Sequence, residues 1–273
     1  MSSSRNIVYI SHGGGPMPLL NDPSHNEMIH TLKEIAKNVG KPSAILVISA
    51  HWETKIPTVT SAQNPNLIYD YYGFPEAAYQ IQYPCLGSPE LAHKTVDTLK
   101  QQGIDAAQDE TRGFDHGLFV PLKLMYPDAD IPCVQLSLAQ SLDAELHIQI
   151  GTALQNLDWD NLLIIGSGFS FHNMKAFFSE NSPQANVKNI EFDDWLTRTM
   201  EDSNFSGENK LSEDNRKQAL IDWARAPSAT FCHPREEHLI PLHVCYGAAN
   251  KASDHTYKTQ ILNKQASMFA WRC

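Results

Sequence analysis

Cysteine is scarce in this sequence, and the few cysteines present are not spaced as a structural site would require. There are five, and no two have the C-x-x-C spacing: Cys85, Cys133, Cys232, Cys245 and Cys273. The odd number and the spacing argue against both a disulfide framework and a structural zinc knot. We therefore expect reduced, mostly buried thiols.

Long hydrophobic runs are also missing. The longest unbroken apolar stretch is about the length of residues 44–48, whereas a helix needs roughly 18 apolar residues to span a bilayer. The opening Met-Ser-Ser-Ser-Arg-Asn lacks the apolar core of a signal peptide. We expect a cytoplasmic protein that does not enter a membrane.

Positive charge is in deficit, since 21 Lys and Arg face 31 Asp and Glu, for a net charge of −10. Proteins that bind nucleic acid or anionic membranes gain affinity by neutralising phosphates, so both are poor partners for this chain. The 42% hydrophobic and 19% charged residues are typical of a folded protein rather than a disordered one.

Apolar runs alternate with amphipathic segments along the chain. Buried strands are predicted at residues 7–10, 44–48, 131–138 and 162–165, with helices between them. Ser24 and Glu27 have the spacing of a capping box, which predicts the start of the first helix. The pattern indicates an α/β fold: a single domain over 1–273 with a largely parallel central sheet flanked by helices, and residues 181–227 as a helical insertion.

Three of the predicted strands run into a histidine, namely His12, His51 and His172. Because ligands bind beyond the carboxyl ends of parallel strands, we expect these side chains to share one edge of the sheet. Further histidines occur at His116 and in a cluster that also contains two glutamates: His233, Glu236, Glu237 and His238. Imidazole and carboxylate groups suit a mononuclear Zn or Fe(II) site, which we predict at this edge.

The remaining histidines lie on predicted helices or in a polar tail, and we interpret them as facing solvent: His25, His30, His93, His147, His243 and His255. The glycines at 13–15 and 166–168 do not fit a dinucleotide loop or a nucleophile elbow. We interpret them as letting the backbone pass close to a ligand. The aromatic segment 69–75 is either a wall for a flat substrate or a hydrophobic cluster under a loop.

Several short blocks occur together in a characteristic order: Ser11-His12-Gly13, Ser49-Ala50-His51-Trp52-Glu53, Tyr71-Tyr72-Gly73-Phe74-Pro75, Gly113-Phe114-Asp115-His116-Gly117, Pro121-Leu122, His233-Pro234-Arg235-Glu236-Glu237-His238 and Pro241-Leu242. In number and order, over about residues 7–249, they resemble the class III extradiol ring-cleaving dioxygenases of the 4,5-DOPA extradiol dioxygenase type.

The resemblance implies one non-haem divalent metal held by His12, His51 and His238, with Fe(II) for activity and Zn(II) able to occupy the site. It implies that His172 is the catalytic acid and base, and that His116 also serves catalysis. The expected partners are a small catecholic, DOPA-like substrate and O2, and the protein is expected to be a monomer or a homodimer. We further expect contacts to the substrate, or support of the ligands, from His233, Tyr72, Asp115 and Glu237.

Alternatives remain at this stage. The third ligand can be His238, His233 or a glutamate, because related ring-cleaving branches use two histidines and a glutamate. The bulky Phe169 and Phe171 beside His172 predict a differently shaped substrate pocket. Two other functions fit the same residues: a zinc-dependent hydrolase in which Glu237 activates water, and a Memo-like binding scaffold without catalysis.

Overall fold

The computed structural model describes residues 5–178, 182–201 and 211–273, in which the strands form one mixed sheet. The sheet has eight strands in the order β4-β3-β5-β2-β6-β1-β8-β7. Their bounds are β1 Arg5–Ser11, β2 Ala44–Thr54, β3 Thr58–Thr60, β4 Ala107–Asp109, β5 Cys133–Ala139, β6 Leu162–Gly168, β7 His255–Ile261 and β8 Lys264–Arg272.

The α-helices of the described residues lie on both faces of this sheet. They are α1 Asn26–Val39, α2 Pro89–Gln101, α3 His116–Met125, α4 Ala144–Leu154, α5 Met174–Phe178, α6 Pro183–Met200, α7 Glu213–Ile221, α8 Ala229–Cys232 and α9 Ile240–Ala249. Within these described ranges, none of the helices has the length and apolar character needed to cross a membrane.

The centre of the sheet is parallel, with strands β5, β2, β6 and β1 side by side. Ser11 at the end of β1 pairs with Gly168 at the end of β6, and Ser49 of β2 pairs with Ser167. Ser11, Ser49 and Gly168 are therefore almost level across the sheet, which places His12, His51 and the residues after β6 at one edge. The antiparallel pair β7 and β8 completes the sheet beside β1.

Alternate residues of β1 supply two separate cores. Ile7 and Tyr9 pack with side chains of α2, α4, α6 and α9, whereas Val8 and Ile10 pack with side chains of α1 and α3. Burial on both faces explains why the central strands read as continuous apolar runs in the sequence. The predicted α/β architecture is confirmed.

Two local predictions were wrong. The strand predicted at 44–48 extends as β2 to Thr54, with a shift of register against β5 between Ile48 and Glu53. This irregularity lies where His51 leaves the core, which is a common place for a bulge near a site. The predicted capping box does not form: α1 begins at Asn26, and Asp22 instead accepts a hydrogen bond from the backbone N–H of Ser24 in a preceding 3₁₀ turn.

The predicted helical insertion at 181–227 contains α6 and α7. Residues 181 and 202–210 of that range lie outside the described residues. Helix α6 packs Phe192 and Leu196 into the core beside β8, so this part of the range belongs to the same core as the sheet. Its status as an insertion stays a prediction.

His147 of α4 is fully buried, so the interpretation of this residue as solvent-facing was wrong. Its Nδ1 lies 2.7 Å from the carbonyl oxygen of Asp143, and its Nε2 accepts from the backbone N–H of Ala139 at 3.1 Å. The bond accepted at Nε2 requires a neutral ring, and burial lowers the pKa of His147 to about 4. His243 is buried in the same way.

We expect acid to destabilise the protein through His147. Since its pKa in the folded state lies below the ordinary value, the unfolded chain binds a proton more readily, and stability is lost as the pH falls from about 6.5 towards 4. At pH 5 this loss amounts to about 2 kcal/mol. Urea unfolding at pH 7.5 and 5 should therefore show a smaller pH effect in His147→Gln than in the wild type. The matched control is His93→Gln, whose side chain is 66% exposed; equal pH effects in His147→Gln and wild type would contradict the assignment.

Candidate active site

Five histidines from separate parts of the chain meet at the carboxyl end of the parallel strands. His12 follows β1, His51 lies in the last part of β2, and His172 follows β6. His116 is the first residue of α3, and His238 precedes α9. The sheet therefore gathers residues that are far apart in the sequence.

The rings of these five residues are in close contact. The ring centroids of His12, His51 and His238 are 4.8, 5.1 and 4.9 Å apart in pairs, and the Nε2 atoms of His12 and His51 are 3.0 Å apart. His116 lies 3.9 Å from His51 between centroids, and His172 stacks on His238 at 3.4 Å. Five of the six histidines expected from the strand ends and motifs thus form one cluster, and the sixth, His233, lies outside it.

The potential ligand atoms form two groups of three. One group is His12, His51 and His116, and the other is His172, Glu237 and His238; within each, the ligand atoms lie within 4.8 Å of one another. His238 falls in the second group, so these groups divide the triad that the resemblance implies. His116 is a competing third ligand that the sequence analysis did not consider.

Oxygen atoms hold the Nδ1 side of the rings. Nδ1 of His12 is 3.0 Å from the hydroxyl of Ser167, which donates its own proton to the carbonyl oxygen of Gly117. The hydroxyl must therefore accept from His12, and this hydrogen bond puts the lone pair of His12 on Nε2. Such a partner behind a ligating histidine fixes its tautomer and orientation.

Two carboxylates lie on the Nδ1 side of the other four rings, and three of these four contacts are within hydrogen-bond distance. Oδ1 of Asp70 is 2.8 Å from Nδ1 of His116, and Oδ2 of Asp70 is 3.8 Å from Nδ1 of His51. Oε1 of Glu237 is 3.0 Å from Nδ1 of His172 and 2.9 Å from Nδ1 of His238. The Nε2 atoms of His116, His172 and His238 are left free to bind a metal or to carry a proton.

Both carboxylates are anionic. Burial alone would raise the pKa of Asp70, but its hydrogen bonds with the side chain and the backbone of His116 help to hold that pKa below the ordinary value. Burial likewise opposes ionisation of Glu237, but its interactions with His172 and Arg235 together outweigh burial and lower the pKa. An anionic acceptor strengthens each hydrogen bond from an imidazole.

The three histidines that the resemblance assigns to the metal are neutral at ordinary pH. Burial is the largest cause of the lowered pKa of His12, His51 and His238, and repulsion between neighbouring imidazolium charges adds to it. Neutral imidazole is the form that binds a divalent transition metal. The donor set, its burial and its oxygen partners therefore fit one divalent metal.

Asp115 is fully buried beside the cluster and supports it from behind. Its Oδ1 accepts from the hydroxyl of Ser49 at 2.8 Å, and its Oδ2 accepts from Arg112 at 3.1 Å and from the side-chain amide of Gln135. Burial raises its pKa. Because Ser49 also accepts from the backbone N–H of His51 at 3.2 Å, Asp115 connects the start of α3 to the β2 strand.

The His238 segment is fixed to the sheet by its backbone. The carbonyl oxygen of His238 accepts from the hydroxyl of Tyr9 and from the backbone N–H of Phe169, both at 2.9 Å. A Cβ atom on Gly168 would lie 2.1 Å from that oxygen, so only glycine permits this approach. Gly168 makes room for the His238 backbone. The interpretation from the sequence, that this glycine lets the backbone pass close to a ligand, was wrong.

Two of the expected site residues lie outside the cluster. Tyr72 is 91% exposed and, within the described residues, has no hydrogen bond or ring contact. His233 is buried, with Nε2 3.0 Å from the carbonyl oxygen of Ser170 and its ring against Phe192 and Trp223; burial lowers its pKa to about 3.

Phe169 and Phe171 do not shape a pocket. Both are buried in the hydrophobic cores and contact Phe177, so the expectation of a pocket altered by these rings was wrong. The pocket beside His172 is formed by the residues after it and by α6.

Two residues near the cluster, Asp70 and His25, were not predicted from the sequence. Asp70 lies in the irregular aromatic segment, where no spacing marks it as a partner of His51 and His116. His25 was interpreted as solvent-facing but is fully buried: its Nε2 accepts from the backbone N–H of Gly14 at 3.0 Å, and its Nδ1 lies 3.0 Å from Asp22. It holds the turn that follows His12.

A cavity of about 610 Å³ opens beside the cluster. Its inner wall includes His172 and Glu237, and its outer wall is formed by α5, α6 and the segment before α9. This volume is in the range of small-molecule sites. The side chain of His172 is 20% exposed, which makes its ring accessible from this side.

Comparison with known proteins extends this result. Residues 6–271 match the family described as the catalytic LigB subunit of aromatic ring-opening dioxygenase. Dioxygenase tasH of Hapsidospora irregularis is 40% identical, over 97% of this chain and 85% of the relative. The 4,5-DOPA dioxygenase extradiol of Mirabilis jalapa is 38% identical, over 95% of this chain and 91% of the relative.

The fold is shared with a solved structure. The crystal structure of an uncharacterized protein from Escherichia coli K12 superposes with a TM-score of 0.72 at 26% identity, covering 97% of this chain and 98% of the other. The predicted fold class, family and type of enzyme are thus confirmed, as is the dependence of the family on a metal. The chain is an extradiol dioxygenase and belongs to the LigB family of aromatic ring-opening dioxygenases.

Proposed function

We propose that this protein opens the ring of a DOPA-like catechol with O2, using Fe(II) held by His12, His51 and His238. The observation that carries the proposal is the cluster of five imidazoles in which oxygen partners occupy the Nδ1 side. Bound Fe(II) supplies the Lewis acidity that favours the deprotonated catechol. It also supplies the electron transfer between ring and O2, which the redox-inert Zn(II) cannot supply.

Support for His12 and His51 as ligands comes from their 3.0 Å Nε2 separation and from the lone pair of His12 on Nε2. His238 is favoured over His116 as the third ligand by the fixing of its backbone to Tyr9 and Phe169. A rigid backbone holds a ligand within the small tolerance of a metal site.

We assign His172 as the acid and base. It is the ring of the cluster that lines the cavity, and Glu237 binds its Nδ1, so Nε2 is the atom that takes a proton from the substrate hydroxyl and returns one. His116, whose Nδ1 is bound by Asp70, donates from Nε2 to the charge that develops on a substrate oxygen when its ring carries both protons.

The remaining expected residues take supporting roles. Glu237 positions His172 and His238, and Asp115 positions the start of α3. His233 supports the segment between β6 and α5 through the carbonyl of Ser170. Contact of Tyr72 with the substrate stays a prediction, and so do the oligomeric state and the cytoplasmic location.

Oxygen uptake tests this function. Protein loaded anaerobically with Fe(II) and mixed with L-DOPA or another catechol should consume O2 in proportion to the appearance of a coloured ring-opened product. The same protein loaded with Zn(II) should consume none. Turnover by the zinc form, or no uptake across a panel of catechols with iron shown to be bound, would reject the proposal and leave the hydrolase and the scaffold to be tested.

A further inference from the structure

The cavity beside His172 is rich in positive charge. Among the described residues that line it, three side chains are cationic, Lys175, Lys188 and Arg235, and one is a carboxylate, Glu237. The chain as a whole carries a net charge of −10, so this local excess runs against the overall charge. A cavity lined by one sign of charge concentrates ligands of the other sign.

Two of the three cations have no ion-pair partner among the described residues. Arg235 donates to Glu53 at 2.6 Å and lies 3.6 Å from Oε2 of Glu237, so its charge is balanced. By contrast, no carboxylate of the described residues forms an ion pair with Lys175 or Lys188. The ammonium group of Lys188 lies over the ring of Phe231, 4.5 Å from its centroid, which keeps it at the cavity wall.

Glu237 does not cancel this excess. Its Oε1 accepts from Nδ1 of both His172 and His238, and its Oε2 is buried beside Arg235. Its negative charge is therefore balanced by the histidine cluster and by Arg235. Among the described residues, the charge in the outer part of the cavity comes from the two lysines.

We infer that this cavity binds the anionic side chain of the substrate, a carboxylate, with Lys175 and Lys188 supplying the charge. The inference rests on the proposed function: when the catechol ring lies at the histidine cluster, its side chain extends past His172 into the cavity. The two lysines then determine specificity: the enzyme prefers carboxylated catechols to neutral ones of the same size. Because both lysines are exposed, the preference weakens as salt screens their charge.

The test compares two catechols, 3-(3,4-dihydroxyphenyl)propanoate and neutral 4-propylcatechol, on the Fe(II) enzyme. The ratio of their kcat/KM values should favour the carboxylate, and K175Q/K188Q should lower that ratio about tenfold, equivalent to about 1.4 kcal/mol. The matched control is K33Q/K37Q, which removes the same charge from α1 and should keep the wild-type ratio. Raising the ionic strength should lower the ratio in wild type and control but not in K175Q/K188Q.

Binding gives a second measurement that does not depend on turnover. Titration calorimetry of the same two compounds into the zinc-loaded protein, without oxygen, should show the same tenfold loss of preference in K175Q/K188Q. An unchanged preference in the variant overturns the inference, even if the enzyme opens both rings. Failure of every catechol to support oxygen uptake rejects the proposed function instead, and the binding comparison still decides the role of the lysines.

Discussion

Replacement of His172 by alanine is expected to lower kcat for ring opening by about 10²–10⁴-fold, the usual contribution of a general acid and base, and to leave the bound metal in place. The reason is the position of His172. Its ring lines the cavity, and its Nδ1 is held 3.0 Å from Glu237, so Nε2 is the atom that can exchange a proton with the substrate. The metal is retained because the assigned ligands are three other residues. Single-turnover measurements of the Fe(II) form, together with its iron content, check both parts.

The control for this variant is His30→Ala, which removes an exposed histidine on α1 and should keep wild-type kcat. A wild-type rate in iron-loaded His172→Ala would remove His172 from catalysis. Loss of iron in proportion to the loss of activity would instead identify His172 as a ligand. This alternative is specific, because His172, Glu237 and His238 form one of the two groups of potential ligand atoms.

The parts of the fold that could be predicted from the sequence are those fixed by burial. Strands β1, β2 and β6 are apolar runs because both faces of the sheet are covered, and each leads directly towards a histidine. Chain order alone therefore indicated which side chains would share the edge. The end of β2 was not predictable, because the extension past Ile48 depends on pairing with β5 across an irregular register.

The missed features depend on contacts between separate elements of the structure. Asp70 gains its role only when the loop that carries it packs against the start of α3, 46 residues later in the chain. His25 and His147 look like polar helix residues, yet each ring is buried because a backbone N–H from another segment donates to it. No periodicity in the sequence records such a partner.

The site was predictable as a set of residues but not as a division of labour. Sequence motifs named all five clustered histidines and Glu237, but only the structure shows that one carboxylate oxygen serves both His172 and His238. Tyr72 shows the converse limit. It belongs to a matching motif, yet its side chain is 91% exposed, whereas its neighbour Tyr71 lies 5.7 Å from the ring of His116.

Removal of a ligand should have the largest effect on metal content. His12→Ala, His51→Ala and His238→Ala are each expected to lower affinity for Fe(II) or Zn(II) by more than about 100-fold, since loss of a mere supporting partner already costs about 10–100-fold. His116→Ala should retain the metal and lose activity only. Metal content after dialysis against a buffered metal solution, measured by mass spectrometry, separates the two classes of variant.

His116 and His238 make this experiment decisive, because the geometry places each of them near two of the other candidate ligands. His116 groups with His12 and His51 within 4.8 Å, whereas the His238 ring lies 5.1 and 4.9 Å from theirs between centroids. Retention of metal by His238→Ala with loss in His116→Ala would establish His12, His51 and His116 as the ligand set. In that case Glu237 would orient two rings that exchange protons with the substrate, His172 and His238. Asp70 would lie beside two metal ligands, His116 and His51.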